Sequence, residues 1–308
     1  METTVSLVNS PYNGVQLNEN LAKAISLTGF KLPSSVNNIV LKLNLCYYWN
    51  ASTGQTTDPK LVEAVIDYLR EKYGSNVEIK LAEADASAMR TKYAFRLLGY
   101  EELSERKNVQ LLNLSEDEID EREITVNGHK MNLQFPKSLL RSDLFINIPK
   151  LKVMRATHIS CAMKNLFGAM AFRRKVKYHP LLAESIVGIN KYLKPHLNIV
   201  DGLVALGRFS VRLDLLMAGT DAFSVDWVAA QVMGYNPSKI KFLNLAIKEQ
   251  LGNPKDVKAV GEAIETFRKN FPTENTYMAR AKMRLQLSLI KFYQRISGDI
   301  IPPSIISE

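Results

Sequence analysis

The chain has 308 residues, 46% hydrophobic and 23% charged, a balance that excludes disorder and allows one large core or two medium ones. Its two cysteines, Cys46 and Cys161, lie far apart and form no CxxC pair, so they build no disulfide framework and no cysteine-rich metal or iron–sulfur site on this chain alone, and they suit a reducing, cytoplasmic setting. The start METTVSLVNS lacks the basic and apolar blocks of a leader, and no apolar run approaches the roughly 18 residues of a membrane span, so no membrane partner is expected.

In chain order, NNIVLKLNLC (37–46) reads as a β-rich run. Asp58 and Pro59 then open a helix as N-cap and first helical residue, with Leu61, Val62, Val65, Ile66 and Leu69 at helical spacing until Gly74. VEIKLAEAD (77–85) reads as a second strand and completes a βαβ unit, which implies a parallel sheet. A helix is expected over about 88–98, stopped by Gly99. Asn127-Gly128 between alternating residues has the form of a type I′ hairpin, and LFINIP (144–149) suits a buried strand.

At this point the charge changes character. Residues 1–150 carry 17 Lys and Arg against 19 Asp and Glu, whereas 151–308 carry 23 against 12, so the formal +9 is all in the second half. No acid falls between Asp143 and Glu184, and the segment beyond Pro149 reads as a basic loop that attracts anions. There follow a helix bearing Lys164, a helix over about 181–192, a strand LNIVDG (197–202) and a strand VRLDLLMAGTD (211–221). Asp221 is placed to cap the apolar helix AFSVDWVAAQVM, with Gly234 ending it. A last amphipathic helix is expected over about 275–296. The fold class is α/β, with mainly parallel or mixed sheets, flanking helices and a small β-hairpin insertion. The chain reads as one unit over 1–308, divisible at most into two α/β lobes (about 1–150 and 151–308) with the site between them.

Lys164 and Asn165 stand side by side in the apolar stretch THISCAMKNLFGAM (157–170). A buried ammonium needs a partner or a purpose. At a helix start Lys164 could hold an anion while Asn165 orients a carboxylate or carbonyl, or Lys164 could be a nucleophile with a depressed pKa; the bland reading is a lysine snorkelling to solvent. Lys150 and Lys152 follow a strand at its carboxyl end, where open α/β sheets bind ligands, and Thr56, Thr57 and Asp58 open a helix after another strand. Against these stand a solvated loop and plain capping. Glu83, Asp85, Asp201 and Asp226 are candidates for acid/base chemistry or for a divalent cation, each with a solvated or structural alternative. His179, before Pro180, is the histidine best placed as acid/base or metal ligand. No HxxxH, GxGxxG or GxSxG occurs.

The pieces KLNL (42–45), TTDPKLVEAVIDYLRE (56–71), INIPKLK (146–152), MKNLFGA (163–169), IVDG (199–202) and AGTDAFSVDWVAAQVMGY (218–235) resemble, in order and spacing, the family known as domain of unknown function 362. Members commonly have Thr-His after Pro-Lys-Leu-Lys, where this chain has Val153 and Met154, with His158 nearby; they often carry a Gly- and Pro-rich loop where this chain has LVALGRFSVRL (203–213). Many have an iron–sulfur extension that this chain lacks. The pattern is also loosely similar to the lactate racemase family, whose nickel-pincer cofactor is tethered to a lysine with a downstream histidine as ligand, an order shared by Lys164 and His179.

The resulting expectation is a basic pocket at strand ends, built from the loops after residues 45, 82 and 149 and from the helix start at Lys164, acting on a small anionic metabolite or cofactor. The residues name no cofactor. A different reading makes the basic half an RNA or ribonucleoprotein surface, although few aromatics interleave with its charges. A third makes the chain the partner of a redox or metal enzyme.

Overall fold

Strand β1 (Thr3–Asn9) and helix α1 (Leu17–Leu27) open the chain, followed by β2 (Asn38–Lys42), α2 (Pro59–Tyr73), β3 (Glu78–Glu83), α3 (Thr91–Leu97), α4 (Tyr100–Lys107) and β4 (Gln110–Asn113). The computed structural model describes residues 2–11 and 16–274, with Met278, Leu285, Ser288 and Leu289; apart from those four residues, the helix expected over 275–296 lies outside the described residues. Period-two alternation builds β2 into the middle of the fold: Ile39 and Leu41 point into one hydrophobic cluster, Val40 into the other. Helix α2 starts where Asp58 accepts from Lys60 N at 2.9 Å, with Pro59 pre-set in its first turn.

The hairpin β5 (Ile119–Val126) and β6 (His129–Pro136) forms a separate two-stranded sheet, turned by Asn127 (φ 49°) and Gly128 (φ 78°), the two left-handed residues that a type I′ turn requires. After the short helix α5 (Lys137–Leu140), β7 (Leu144–Asn147) is followed at once by β8 (Lys150–Met154), then β9 (His158–Ser160) and α6 (Ala162–Gly168). The expected basic loop after Pro149 is therefore a strand. It continues the direction of β7 and pairs with the same neighbour, which satisfies its backbone and buries it.

Helix α7 (Leu182–Tyr192), β10 (Leu197–Leu206), β11 (Ser210–Gly219), α8 (Ala222–Val232), α9 (Lys241–Lys248), β12 (Val257–Gly261) and α10 (Ile264–Arg268) complete the described chain. Asp221 caps α8 by accepting from Ser224 N at 2.7 Å. One ten-stranded mixed sheet runs β12-β1-β11-β10-β7-β2-β3-β4, with β8 branching from β10 and β9 from β8. The β10, β7, β2, β3 and β4 segment is parallel, while β11 runs antiparallel to both β10 and β1. Residues of α1, α2 and α4 pack on one face, and those of α6 to α9 with the β5–β6 hairpin on the other. No helix among the described residues is long and apolar enough to cross a membrane.

Candidate functional site

The parallel strands end together, and their last residues are polar. Lys42 at the end of β2 is fully buried and pairs with Glu83 at the end of β3 at 2.7 Å; its ammonium also donates to Leu43 O at 2.6 Å. Burial pushes the Lys42 pKa down, and Glu83 opposes that. Glu83 in turn accepts from Leu45 N at 2.8 Å and Ala84 N at 2.9 Å, so it is committed to holding two loops. Buried amides continue the network sideways. Asn165 donates to Asn147 Oδ1 at 2.8 Å and to Leu43 O at 3.1 Å, and Asn147 donates to Asn198 Oδ1 at 2.8 Å. Each amide has a partner on the next element, as buried polar groups require.

Lys150 and Lys152 share one face of β8, as the period of a strand dictates. Lys150 meets Asp201 of β10 at 2.9 Å, both side chains at 0% exposure. Burial raises the Asp201 pKa, against the pull of Lys150. Asp201 also accepts from Asp58 N at 2.8 Å, which fixes the start of α2 on β10. Lys152, 2% exposed, donates to Asn44 Oδ1 at 2.7 Å and to Gln55 O at 2.6 Å. Burial and the neighbouring charges of Lys164 and Lys150, partly offset by Cys46, bring its pKa down to about 8.

Thr56, Thr57 and Asp58 have framework duties. Thr56 donates to Trp49 O at 2.8 Å, Thr57 donates to Ile148 O at 3.0 Å and accepts from Asn44 N at 2.9 Å, and Asp58 is the cap of α2. The loop they close needs glycine at Gly54, where φ is 72° and an added Cβ would stand 2.7 Å from Ala205 C.

The start of α6 is not an open anion site. Asp226, fully buried on α8, accepts from Ala162 N at 2.6 Å and Met163 N at 3.2 Å, so the chain's own carboxylate occupies the helix start where a ligand was expected. Burial raises its pKa to about 7 in spite of those two N–H groups. Asp226 is thereby a positioning group for the helix that carries Lys164 and Asn165.

Asp85 is also engaged. It accepts from Thr91 N at 2.9 Å, starting α3 at Thr91 and not three residues earlier, and its Oδ2 lies 3.2 Å from Arg90 and 3.2 Å from Arg173. These donors outweigh burial and hold its carboxyl below the usual range. Lys175, 6% exposed, donates to the Asp85 carbonyl, and burial lowers its pKa to about 7. Two members of the Arg173, Arg174, Lys175 and Lys177 run thus turn inward or pair with acids, which does not make an open phosphate-binding strip.

Three further side chains lie beside this frame. Lys164 is half-buried and makes no hydrogen bond or ion pair among the described residues; its Nζ lies 5.9 Å from the centre of the Phe167 ring. Burial lowers its pKa, partly offset by Cys46. Cys46 is a free, half-buried thiol. His179 is exposed, and its pKa is lowered by partial burial and by the nearby Lys164 charge. Beside Cys46 the loop presents Tyr47, Tyr48 and Trp49 to solvent.

Glu83, Asp85, Asp201 and Asp226 are each tied to a different part of the frame, and no three His, Cys, Asp or Glu side chains gather as a cation site among the described residues. His158 packs edge-on against Tyr235 at 5.9 Å, and His196 accepts from Phe145 N at 3.0 Å. Two open surface depressions, at Ile247–Asp256 and around Glu2 and Lys255–Lys258, contain none of the candidate residues.

Sequence reasoning assigned none of Lys42, Asn44, Cys46, Asn147, Asn198 or Lys175 to the pocket: Lys42, Asn44 and Asn147 figured only within the KLNL and INIPKLK segments, Cys46 only as one of two thiols, and Lys175 only as part of the basic segment. Lys42, Asn44 and Cys46 alternate along the chain after the Leu41 strand position, and a polar residue alternating out of an apolar run at a strand's carboxyl end was the available signal.

The fold and this arrangement define an α/β protein with a polar, lysine-rich site at the carboxyl ends of parallel strands. The chain belongs to the family described as domain of unknown function (DUF362), which matches residues 39–231, well over half of it and all the segments that build the site. A thylakoid-associated protein of Synechocystis sp., sll1697, is 31% identical over 137 residues, 40% of this chain. The chain spans 42% of that relative's length in the match. The lactate racemase apoprotein of Thermoanaerobacterium thermosaccharolyticum is similar with a TM-score of 0.41 and 14% identity, covering 75% of this chain and 56% of that one.

Proposed function

We propose that the chain binds a small carboxylate- or phosphate-bearing metabolite at the strand ends, with Lys164 as the group that meets it, Lys152 and Asn165 behind it, and His179 as acid or base at the rim. One observation carries this reading. Of the lysines gathered here, Lys42, Lys150, Lys152 and Lys175 are tied to carboxylates, amides or carbonyls, whereas Lys164 has no hydrogen bond or ion pair among the described residues. A half-buried cation with neither hydrogen bond nor ion pair among the described residues, beside lysines that each have one, is the position a ligand anion would complete. The inward pairing of Arg173 and Lys175 favours this over an RNA surface. A reducing, cytoplasmic setting, in which Cys46 stays a thiol, belongs to the same proposal.

Thermal unfolding of the wild type and Lys164→Ala with a panel of carboxylates and phosphorylated metabolites tests it. A ligand at a hundred times its Kd should stabilise the wild type by about 2.7 kcal/mol and the variant by far less. Equal protection of both proteins, or a large loss of stability in the ligand-free variant, would move Lys164 to a structural role.

A further inference from the structure

We propose that Lys164 is a nucleophile that captures the aldehyde or ketone carbonyl of its anionic ligand as an imine, while Lys152 holds the ligand's carboxylate or phosphate. The inference rests on the anion-binding reading above and names the ligand class within it. Two observations carry it. An ammonium has three N–H donors, and Lys152 directs two of them at Asn44 Oδ1 (2.7 Å) and Gln55 O (2.6 Å). The third has no acceptor among the described residues, although the residue is only 2% exposed. A buried donor left over in this way points to an anion that completes it.

The second observation is the contrast between Lys152 and Lys164, carried by elements that the Asn44 amide ties together. Asn44 accepts from Lys152 and donates at 2.7 Å to Asn165, the neighbour of Lys164 on α6. One amine is therefore pinned with a spare donor, and the other is unpinned. Lys164 lies against the Phe167 ring with no carboxylate to hold its proton, and burial favours its neutral form. A neutral amine is the nucleophilic form, and a desolvated lysine beside another cation is a recurrent way to obtain it. Lys42, Lys150 and Lys175 are excluded because their ammonium groups are held by Glu83, Asp201 and the Asp85 carbonyl.

In the step, the neutral Lys164 Nζ lone pair forms a bond to the carbonyl carbon as the C=O π bond breaks, the carbonyl oxygen takes up a proton and the nitrogen gives up one of its two. The resulting carbinolamine loses its hydroxyl as water, with a second proton delivered to that oxygen and the N–H proton released. The net change is amine plus carbonyl to imine plus water, with no oxidation or reduction. His179, exposed on the segment before α7 and near enough to Lys164 to feel its charge, is the proposed relay for those protons.

The test uses the full chain with pyruvate and 2-oxoglutarate, and with propionate and glutarate as anions of similar charge that lack a ketone. Sodium cyanoborohydride reduces an imine by delivering hydride to its carbon while water protonates the nitrogen, leaving a stable secondary amine that peptide mass spectrometry locates. The expected result is a reduced adduct on Lys164 in clear excess over that on the exposed Lys72, because burial without a carboxylate partner favours the neutral, nucleophilic amine at Lys164. Lys164→Arg, which keeps the charge, should lose the adduct while still being protected against unfolding by propionate. Protection of the wild type by these anions with no adduct on Lys164, or with equal labelling of Lys72, overturns the imine and leaves the anion site standing. Absence of both adduct and protection overturns the imine and counts against the anion site as well.

Discussion

Asn44 holds two functional elements with one amide: its Nδ2 donates to Asn165 at 2.7 Å and its Oδ1 accepts from Lys152 at 2.7 Å. The loop after β2, the strand β8 and the helix α6 meet at this half-buried side chain. Asn44→Ala should therefore destabilise the fold by about 1–3 kcal/mol, the cost of leaving buried partners unsatisfied. Asn44→Asp restores an acceptor for Lys152 but places a negative charge beside the proposed anion. Urea midpoints together with ligand-protection measurements should show Asp costing less stability than Ala and more affinity.

The Lys150–Asp201 pair, at 0% exposure on both sides, predicts an asymmetric response. Asp201→Ala leaves a buried ammonium uncompensated and releases Asp58 N, so it should cost about 3–5 kcal/mol. Replacing both partners by Met and Leu should recover much of that loss. Circular dichroism melts of the single and double variants decide this; equal instability of the two would mean that the pair itself, and not its broken half, determines stability.

The Asp226 carboxyl, raised to about 7 from 3.8, binds its proton more tightly in the folded chain than in the unfolded one. Its stabilising protonation is thus fully present below about pH 4 and is lost as the pH climbs through about 7. Asp226→Asn should remove that fall, so that the ratio of variant to wild-type stability grows between about pH 5 and about pH 8 in denaturant titrations.

Lys175 predicts the opposite slope. Its pKa falls from 10.5 to about 7 in the folded chain, so its contribution is fully present above 10.5 and is lost as the pH drops through about 7. The titratable groups facing it are Glu83, Asp85 and Lys42. In Lys175→Met the rise in stability between those limits should flatten, and hydrogen exchange should quicken across 172–181, the segment that Lys175 pins to the Asp85 carbonyl.

The α/β class, the type I′ turn at Asn127-Gly128 and the caps at Asp58 and Asp221 were legible in the sequence because each rests on local chemistry: a period, a left-handed pair, a side chain reaching its own backbone. The character of β8 was not, because Lys150 and Lys152 read as a loop, ligand-binding or solvated, until β10 supplies Asp201 and the 44–57 loop supplies Asn44 and Gln55. The same limit hid the owner of the α6 start. Asp226 sits 63 positions from Met163 in the chain, and no local pattern connects a carboxylate to a helix so distant. What the sequence did single out, the Lys164-Asn165 step, divides in the structure into a committed amide and an uncommitted amine.

Because Lys152 and Lys175 lose protons near 8 and 7 inside the protein, the formal +9 overstates the charge carried in mildly alkaline solution, and the interior acts as a buffer within the working range of a cell. An anion arriving beside Lys152 favours its charged form and so draws protons from the medium. The heat of binding measured by calorimetry should then differ between buffers of low and high ionisation enthalpy at the same pH, and the difference counts the protons that travel with the ligand.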